Sequence, residues 1–237
     1  MEGTEVRKLT ELEDRHWWYR ERRQLLARAV AGLTPGTAVD IGAAGGGNTR
    51  VLTGLGWRAA ALEFGTDGAQ VCAERGIPVL RADATRLPVG DGCLDLVVAF
   101  DVLEHLDDDK SAAHGIFEAL RPGGVFLVAV PADPRLWSSH DVAVGHVRRY
   151  TRETLTTLLA DAGFELGPMR SWNVLLRPAV AVRRRQSRGS DLGEVPGWLN
   201  SLLHAVVRTE RYLPVGTLPG VSLLVTARRP LIERSTD

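Results

Sequence analysis

Apolar runs of strand length alternate with helical patterns between Ala38 and Val130, and this alternation limits the possible folds more than any other feature of the chain. Such repeats are typical of βαβ units, which build a parallel sheet covered by helices on both faces. The pattern therefore predicts a doubly wound α/β core. The expected strands span about 37–41, 58–62, 79–81, 94–99 and 124–130, and the expected helices span 47–55, 67–75 and 107–120.

The chain outside these repeats predicts further elements. Arg121-Pro122-Gly123-Gly124 is expected to end the preceding helix in a tight turn. A helix over 151–162 fits Thr151 as N-cap and Gly163 as terminator. Strands are expected near 164–170 and over 222–228, and one amphipathic helix is expected over 5–31.

A length of 237 residues favours one domain with an elaboration. The segment 172–213 is too long for an ordinary connection and carries apolar stretches separated by prolines. The predicted organisation is therefore an N-terminal helical lid at 1–34, a core at 35–171 and 214–237, and a helical insertion at 172–213 before the last strand.

A glycine-rich turn follows the first predicted strand and runs from Asp40 to Gly47. Glycines there let the backbone approach a ligand, and the next helix offers free N–H groups. Asp40 would repel a pyrophosphate but attract a ligand that carries an ammonium and a sulfonium group. Glu63 ends the second strand and Asp83 follows the third. Both acids are therefore expected at the same sheet edge, where Glu63 is placed to accept ribose hydroxyls.

Five ordered motifs resemble those of the class I (Rossmann-like) S-adenosylmethionine-dependent methyltransferases over roughly 35–170: Asp40-x-Gly42-x-Ala44-x-Gly46, Glu63, Asp83, Phe100–Leu106 and Leu120–Gly124. The resemblance implies a seven-stranded sheet with its last strand antiparallel, and S-adenosylmethionine as the cofactor. Ala44 departs from the family pattern, which has glycine at that position. The residues expected to bind the cofactor are Trp18, Arg23, Asp40, Gly42, Ala44, Gly46, Glu63, Phe64, Asp83, Ala84, Asp101, Val102 and His105.

The resemblance also implies a role for several of these residues. Asp40, Gly42 and Asp101 are expected near the methionine part, Glu63 on the ribose, Phe64 beside the adenine and Asp83 on its amino group. Arg23 is expected to pair with the methionine carboxylate, and Trp18 to belong to a helical lid. Structural alternatives stay open: Asp83 as a turn cap, His105 as part of the turn after the fourth strand, and Trp18 as plain helix packing.

The loop after the fifth predicted strand carries the candidates for acid–base chemistry. A hydroxyl acceptor needs a base, and histidine is the usual one near neutral pH. His140 or His146 is the expected base, with Asp141 as its orienting partner. The alternative is that His146 and Arg149 only order the loop. Together with His16-Trp17-Trp18, this stretch resembles a bacterial small-molecule branch of the family.

Composition excludes several classes of protein. Lys plus Arg (29) balances Asp plus Glu (29), so the chain lacks the basic field of a nucleic-acid binder, and no nucleic-acid partner is expected. Arg183-Arg184-Arg185 with Arg188 is either a solvated turn or a contact to anionic lipid at a membrane surface. Cys72 and Cys93 have no metal-ligand spacing around them, so no metal site is expected. Few cysteines and a charged N-terminus without an apolar leader favour a reducing cytoplasm.

The function predicted from the sequence is methyl transfer from S-adenosylmethionine to a small molecule. O-methylation of a lipophilic, natural-product-like metabolite with histidine-assisted deprotonation is favoured, with the insertion covering an apolar acceptor pocket. The alternatives are N- or C-methylation by proximity alone, a cyclase-type or regulatory protein on the same fold, a nicotinamide-dependent dehydrogenase, and a nucleic-acid methyltransferase. Asp40 and Ala44 argue against the dehydrogenase.

Overall fold

One sheet forms the centre of the protein in the computed structural model, which describes residues 3–186 and 195–231. Its strands are β1 (Thr37–Ile41), β2 (Arg58–Glu63), β3 (Val79–Arg81), β4 (Leu94–Phe100), β5 (Leu120–Pro131), β6 (Glu165–Leu166), β7 (Arg170–Trp172) and β8 (Ser222–Arg228). Their order is β3-β2-β1-β4-β5-β8-β6, with β7 also paired to β8. The first five strands are parallel, and β8 runs antiparallel to β5.

Helices cover the sheet, and two large clusters of buried apolar side chains, with a third small one around Ile77, form the core. One large cluster includes Ile116 and Leu155, and the other includes Leu26 and Leu52. The helices are α1 (Gly3–Leu12), α2 (Trp17–Val30), α3 (Gly47–Gly54), α4 (Thr66–Glu74), α5 (Asp109–Ala119), α6 (Ser139–Ala143), α7 (Arg152–Asp161), α8 (Arg177–Gln186) and α9 (Gly197–Thr209).

The predicted doubly wound sheet with an antiparallel last strand is confirmed, but its sixth position is divided. Both β6 and β7 pair with β8, at Glu165↔Arg228 and Arg170↔Leu224. The interruption contains Pro168, which has no N–H to donate to a ladder. The predicted single strand at 164–170 is therefore two short strands that share one sheet position. Because β7 extends to Trp172, the predicted insertion begins one residue later than expected.

The predicted single helix over 5–31 is wrong, because the chain turns between α1 and α2. His16 is the N-cap of α2, and its side chain accepts a hydrogen bond from the Trp18 N–H at 3.3 Å. A second cap comes from α9, where Asn200 Oδ1 accepts the Trp17 N–H at 2.8 Å. The break places the two helices over different parts of the sheet edge, since α1 contacts α4 and α2 contacts α3 and α9.

The predicted insertion contains α8 and α9. Its arginine cluster lies in a helix rather than in a turn, because Arg183, Arg184 and Arg185 belong to the last turn of α8, while Arg188 lies outside the described residues. Among the residues that the structure describes, no helix combines the length and the apolar character needed to cross a bilayer.

Candidate functional site

A cavity of about 470 Å³ opens at the carboxyl edge of the parallel strands, where open α/β sheets bind ligands. The glycine-rich turn and the ends of β4 and β5 form its floor, and side chains from α2, α8 and α9 surround the rest. Eight of the predicted site residues line this cavity: Trp18, Arg23, Gly42, Ala44, Asp101, His105, His140 and His146.

The glycine-rich turn adopts left-handed backbone at three positions. The φ angles are 64° at Gly42, 50° at Ala44 and 78° at Gly46. A Cβ on Gly46 would lie 2.2 Å from Ile77 Cδ1, so only glycine fits there. Ala44 adopts the left-handed conformation although it has a side chain, and this conformation is unfavourable for residues other than glycine. Its N–H donates to Glu63 Oε1, which ties the turn to the end of β2.

Asp40 and Glu63 are carboxyl groups with strongly perturbed acidity. Asp40 is buried, Thr49 Oγ1 donates to its Oδ2 at 2.7 Å, and its Oδ1 has no partner among the described residues. Burial raises the pKa of Asp40 to about 7. Burial also raises the pKa of Glu63 to about 7, against the opposing effect of the Ala44 N–H. Both acids therefore titrate near neutral pH.

The predicted adenine-side residues lie outside the cavity. Phe64 is 74% exposed at the end of β2, so its ring face is available for stacking. Asp83 Oδ1 accepts from both the N–H and the hydroxyl of Thr85 at 2.8 Å, which is the turn-capping contact of the structural alternative. Ala84 and Val102 are buried in the core. Their cofactor roles stay predictions.

Arg22 contacts a predicted site acid, whereas the expected pairing of Arg23 with the methionine carboxylate stays a prediction. Arg22 is buried and its Nη2 donates to Asp101 Oδ2 at 2.5 Å, while its guanidinium lies 4.7 Å from the Phe100 ring centroid. Arg23 lines the cavity, but its guanidinium bonds the Glu13 carbonyl and Asp14.

An aromatic residue of α2 packs against the end of the sheet. The ring centroids of Trp18 and Trp172 lie 4.4 Å apart, and Arg22 lies within 6 Å of both rings. Asp101 has a positive φ of 59°, so its side chain leaves β4 on a strained backbone. The sequence analysis missed Arg22, which contacts this acid, and Trp172, whose ring lies 5.5 Å from the Arg22 guanidinium.

Asp141 organises the loop after β5. It is fully buried and accepts hydrogen bonds from His146 Nδ1 and Arg149 Nε, both at 2.8 Å, and from the Ser138 N–H at 2.9 Å. Burial alone would raise the pKa of Asp141, but the His146 hydrogen bond and the Arg184 charge hold it below its ordinary value. Arg149 also bonds the Ala132 carbonyl, as the loop-ordering alternative predicted. His146 instead points its Nε2 towards Glu104.

Glu104 is an acid to which the sequence analysis assigned no role in the site. It is fully buried, it lines the cavity, and neither carboxyl oxygen has a hydrogen-bond partner among the described residues. Its Oε1 lies 3.8 Å from His146 Nε2. Burial and the nearby Asp101 charge raise the pKa of Glu104 well above its ordinary value. The cavity wall therefore joins two histidines to an unpartnered carboxyl group.

Comparison with known families decides the class of this domain. A family model described as a methyltransferase domain matches residues 14–167, which include α2, all five parallel strands, the glycine-rich turn and the His140–His146 loop. The chain belongs to this methyltransferase family. The match confirms the resemblance seen in the sequence.

The chain is similar to curated proteins from bacteria. Proteins named probable S-adenosylmethionine-dependent methyltransferases, from Mycolicibacterium smegmatis and Mycobacterium tuberculosis, are 28% and 26% identical over 69% and 68% of the chain. The matches cover 65% and 60% of those proteins, which is less than two thirds of either. A demethylmenaquinone methyltransferase from Mycobacterium bovis is 32% identical over 52% of the chain and 50% of that protein. The cofactor named for the first two is the predicted one.

Solved structures share the fold of this methyltransferase at low identity. The complex between the Haloferax volcanii Trm112 methyltransferase activator and a putative methyltransferase contains a match with a TM-score of 0.67 and 19% identity, which covers 96% of this chain and 95% of that one. The [4+2]-cyclase SpnF matches with a TM-score of 0.60 and 18% identity, covering 91% and 83%. At such identities the likeness concerns the fold alone.

Proposed function

We propose that this protein transfers a methyl group from S-adenosylmethionine to a hydroxyl group of an apolar small molecule bound in the cavity. The observation that carries the proposal is one cavity in which the glycine-rich turn, two histidines and an apolar wall meet. Leu176 and Val180, from α8 and its approach, and Leu199 and Leu203, from α9, supply much of that wall. A relative named a demethylmenaquinone methyltransferase supports a small-molecule acceptor.

The residues of the turn fit the proposed cofactor. Gly42 and Gly46 give a bare backbone surface in left-handed geometry, and Glu63 presents a carboxyl group at the end of β2. Asp101 adds negative charge at the end of β4, where it lines the cavity. These acids suit a cationic ligand with a ribose, as the sequence analysis expected. S-adenosylmethionine, when bound, supplies a methyl group made electrophilic by the positive sulfur.

The histidines serve the acceptor. A hydroxyl is a poor nucleophile until its proton is removed, and general-base assistance typically contributes about 10²–10⁴-fold. Asp141 holds the His146 ring through Nδ1, and His140 lies on the same wall with its ring centroid 6.2 Å from that of His146. The cavity also separates the reacting groups from bulk water on the sides covered by α2, α8 and α9.

Exposed residues of α8 and α9 support an apolar acceptor that the protein takes from the cytoplasmic surface of a membrane. On α9, Trp198 and Leu202 are 72% and 52% exposed, and on α8 Arg183 and Arg185 are exposed. Exposed tryptophan and leucine beside basic groups suit peripheral contact with anionic lipid. Cys72 and Cys93 are both free thiols, which agrees with a reducing compartment.

The test combines isotope transfer with matched variants. Full-length protein incubated with methyl-labelled S-adenosylmethionine and fractionated metabolites is expected to give one acceptor whose mass rises by one labelled methyl. His140→Ala and His146→Ala are expected to lower turnover at least tenfold while cofactor affinity stays within about twofold. His114→Ala, on the exposed face of α5, is the control and is expected to leave turnover unchanged.

Two results would overturn this proposal. Full turnover in both histidine variants would assign methylation to an amine or carbon acceptor by proximity. Absence of labelled product from every fraction, with cofactor binding intact, would favour the cyclase-type or regulatory alternative.

A further inference from the structure

Glu104 is buried without a hydrogen-bond partner among the described residues, and His146 Nε2 lies 3.8 Å from its Oε1. The Glu104 side chain is 0% exposed and faces the cavity. Buried polar groups in folded proteins are almost always hydrogen-bonded or bound to a metal. The position therefore calls for a ligand that supplies positive charge or donors.

Two histidines beside Glu104 present nitrogen lone pairs to the same point. His105 Nδ1 lies 3.1 Å from the Gly145 carbonyl, and His146 Nδ1 lies 2.8 Å from Asp141 Oδ1. The Gly145 carbonyl can only accept, so the proton of the His105 ring sits on Nδ1. The Asp141 carboxyl group already accepts from Arg149 Nε and the Ser138 N–H, so it acts as the acceptor for His146 Nδ1 as well. Each Nε2 is then an acceptor. Metal-ligating histidines almost always have their second nitrogen fixed in this way.

We propose that Glu104, His105 and His146 bind one divalent transition-metal ion. One donor atom from each residue lies within 4.8 Å of the other two, and Glu104 Oε1 lies 3.8 Å from His146 Nε2. Donor atoms around a shared zinc ion lie roughly 3.4 Å apart, so side-chain movements of about 1 Å close the site. The sequence analysis predicted no metal site, because it found no ligand spacing around the two cysteines. It did not consider Glu104 and His105 together with His146, which follows 41 residues after His105.

The donor set selects the kind of ion. Two imidazoles and one carboxylate suit zinc, iron or manganese better than magnesium or calcium, which prefer oxygen ligands alone. Three protein ligands leave at least one position open, as in catalytic rather than structural sites. The open position faces the cavity, because all three ligands line it.

This inference rests on the proposed function and gives its chemistry a second component. A hydroxyl oxygen bound at the open position would become more acidic, since a bound cation stabilises the oxyanion. The O–H bond breaks, the electron pair stays on the metal-bound oxygen, and the proton passes to His140 on the same wall. His146 then acts as a ligand and His140 as the base, with Asp141 as a positioning residue for His146.

The test measures metal binding without cofactor or acceptor. Full-length protein, stripped with a chelator, is titrated calorimetrically with Zn²⁺, and Co²⁺ absorption reports the coordination geometry. One ion per chain is expected. Glu104→Gln and His146→Ala are expected to weaken Zn²⁺ binding at least 100-fold, and Asp141→Asn about 10–100-fold, which is typical of an outer-shell change. His114→Ala is the matched control and is expected to bind Zn²⁺ like the wild type.

Circular dichroism of every variant guards against misfolding. Equal Zn²⁺ affinity in wild type, Glu104→Gln and His105→Ala, with all three folded, overturns the metal site. No stoichiometric binding by the folded wild type overturns it as well. The two proposals fail separately, because full methyl transfer by metal-free protein leaves the proposed function standing, whereas one bound ion without methyl transfer leaves the metal site standing.

Discussion

Cofactor affinity is expected to depend on pH through Glu63. Burial raises the pKa of this carboxyl group to about 7, and its proposed role is to accept ribose hydroxyls as a carboxylate. A group with a raised pKa is protonated over more of the acid range, so binding must displace a proton below pH 7. Affinity is therefore expected to be constant above pH 8 and to fall as the pH drops through 7.

The size of the effect follows from the pKa. With one proton displaced and a pKa of about 7, the dissociation constant at pH 6 is about tenfold larger than at pH 8, or roughly 1.4 kcal/mol. Calorimetry with S-adenosylhomocysteine between pH 6 and 8 measures this. Asp40 titrates in the same range, so Glu63→Gln is the control that isolates Glu63.

The variant is expected to bind more weakly at pH 8 and to lose most of the pH dependence. Identical pH profiles for wild type and Glu63→Gln, with both folded, would refute the reasoning and move the ribose contact away from Glu63. A wild-type affinity unchanged from pH 8 to pH 6 would refute it equally.

Two further predictions concern stability. Ala44→Gly removes the strain of a left-handed alanine, which costs the folded state about 1–2 kcal/mol. The glycine also raises the entropy of the unfolded chain, which lowers the free energy of unfolding by about 0.4–1 kcal/mol. A net stabilisation of about 0.5–1 kcal/mol in thermal unfolding is expected, and a lower midpoint would contradict the strain. Arg211→Ala removes the arginine partner of the buried Glu21 and leaves His204 Nε2, at 3.6 Å, as its neighbour, so a loss of about 3–5 kcal/mol in urea unfolding is expected. Adding Glu21→Gln to the Arg211→Ala variant should recover part of the lost stability. A loss under about 1 kcal/mol in Arg211→Ala alone would show that the ion pair is dispensable.

Local pattern was sufficient to predict the parallel core. Strand β4 is a nearly continuous apolar run, and the glycine turn follows β1 directly, so both depend on neighbours in sequence. The break before α2 could not be predicted in this way. Part of its cap comes from Asn200, which lies 183 residues from Trp17 along the chain, and no local pattern encodes such a partner.

The site shows the same division. Roles could be predicted for single residues at strand ends, for Glu63 from its chemistry and position in the sequence and for Asp101 from the family resemblance, and these roles stay predictions. The grouping of Glu104 with His146 depends on how the loop after β5 folds back, since the Val147 N–H donates to the Glu104 carbonyl at 2.8 Å. Arg22 was missed because its contacts to Asp101 and Phe100 are set by tertiary packing.

The covering of the cavity is assembled from two distant parts of the chain, and this limits how acceptor specificity can be transplanted. Asn200 of α9 caps α2. Arg211, which follows α9, donates from its Nε to Oε1 of Glu21 in α2 at 2.8 Å. A chimaera that exchanges the segment from α8 through Arg211 for that of a relative lacking Asn200 and Arg211 would leave the buried Glu21 without its arginine partner and would uncap α2. To transplant acceptor specificity, α2 and the segment from α8 through Arg211 must therefore be taken from the same parent protein.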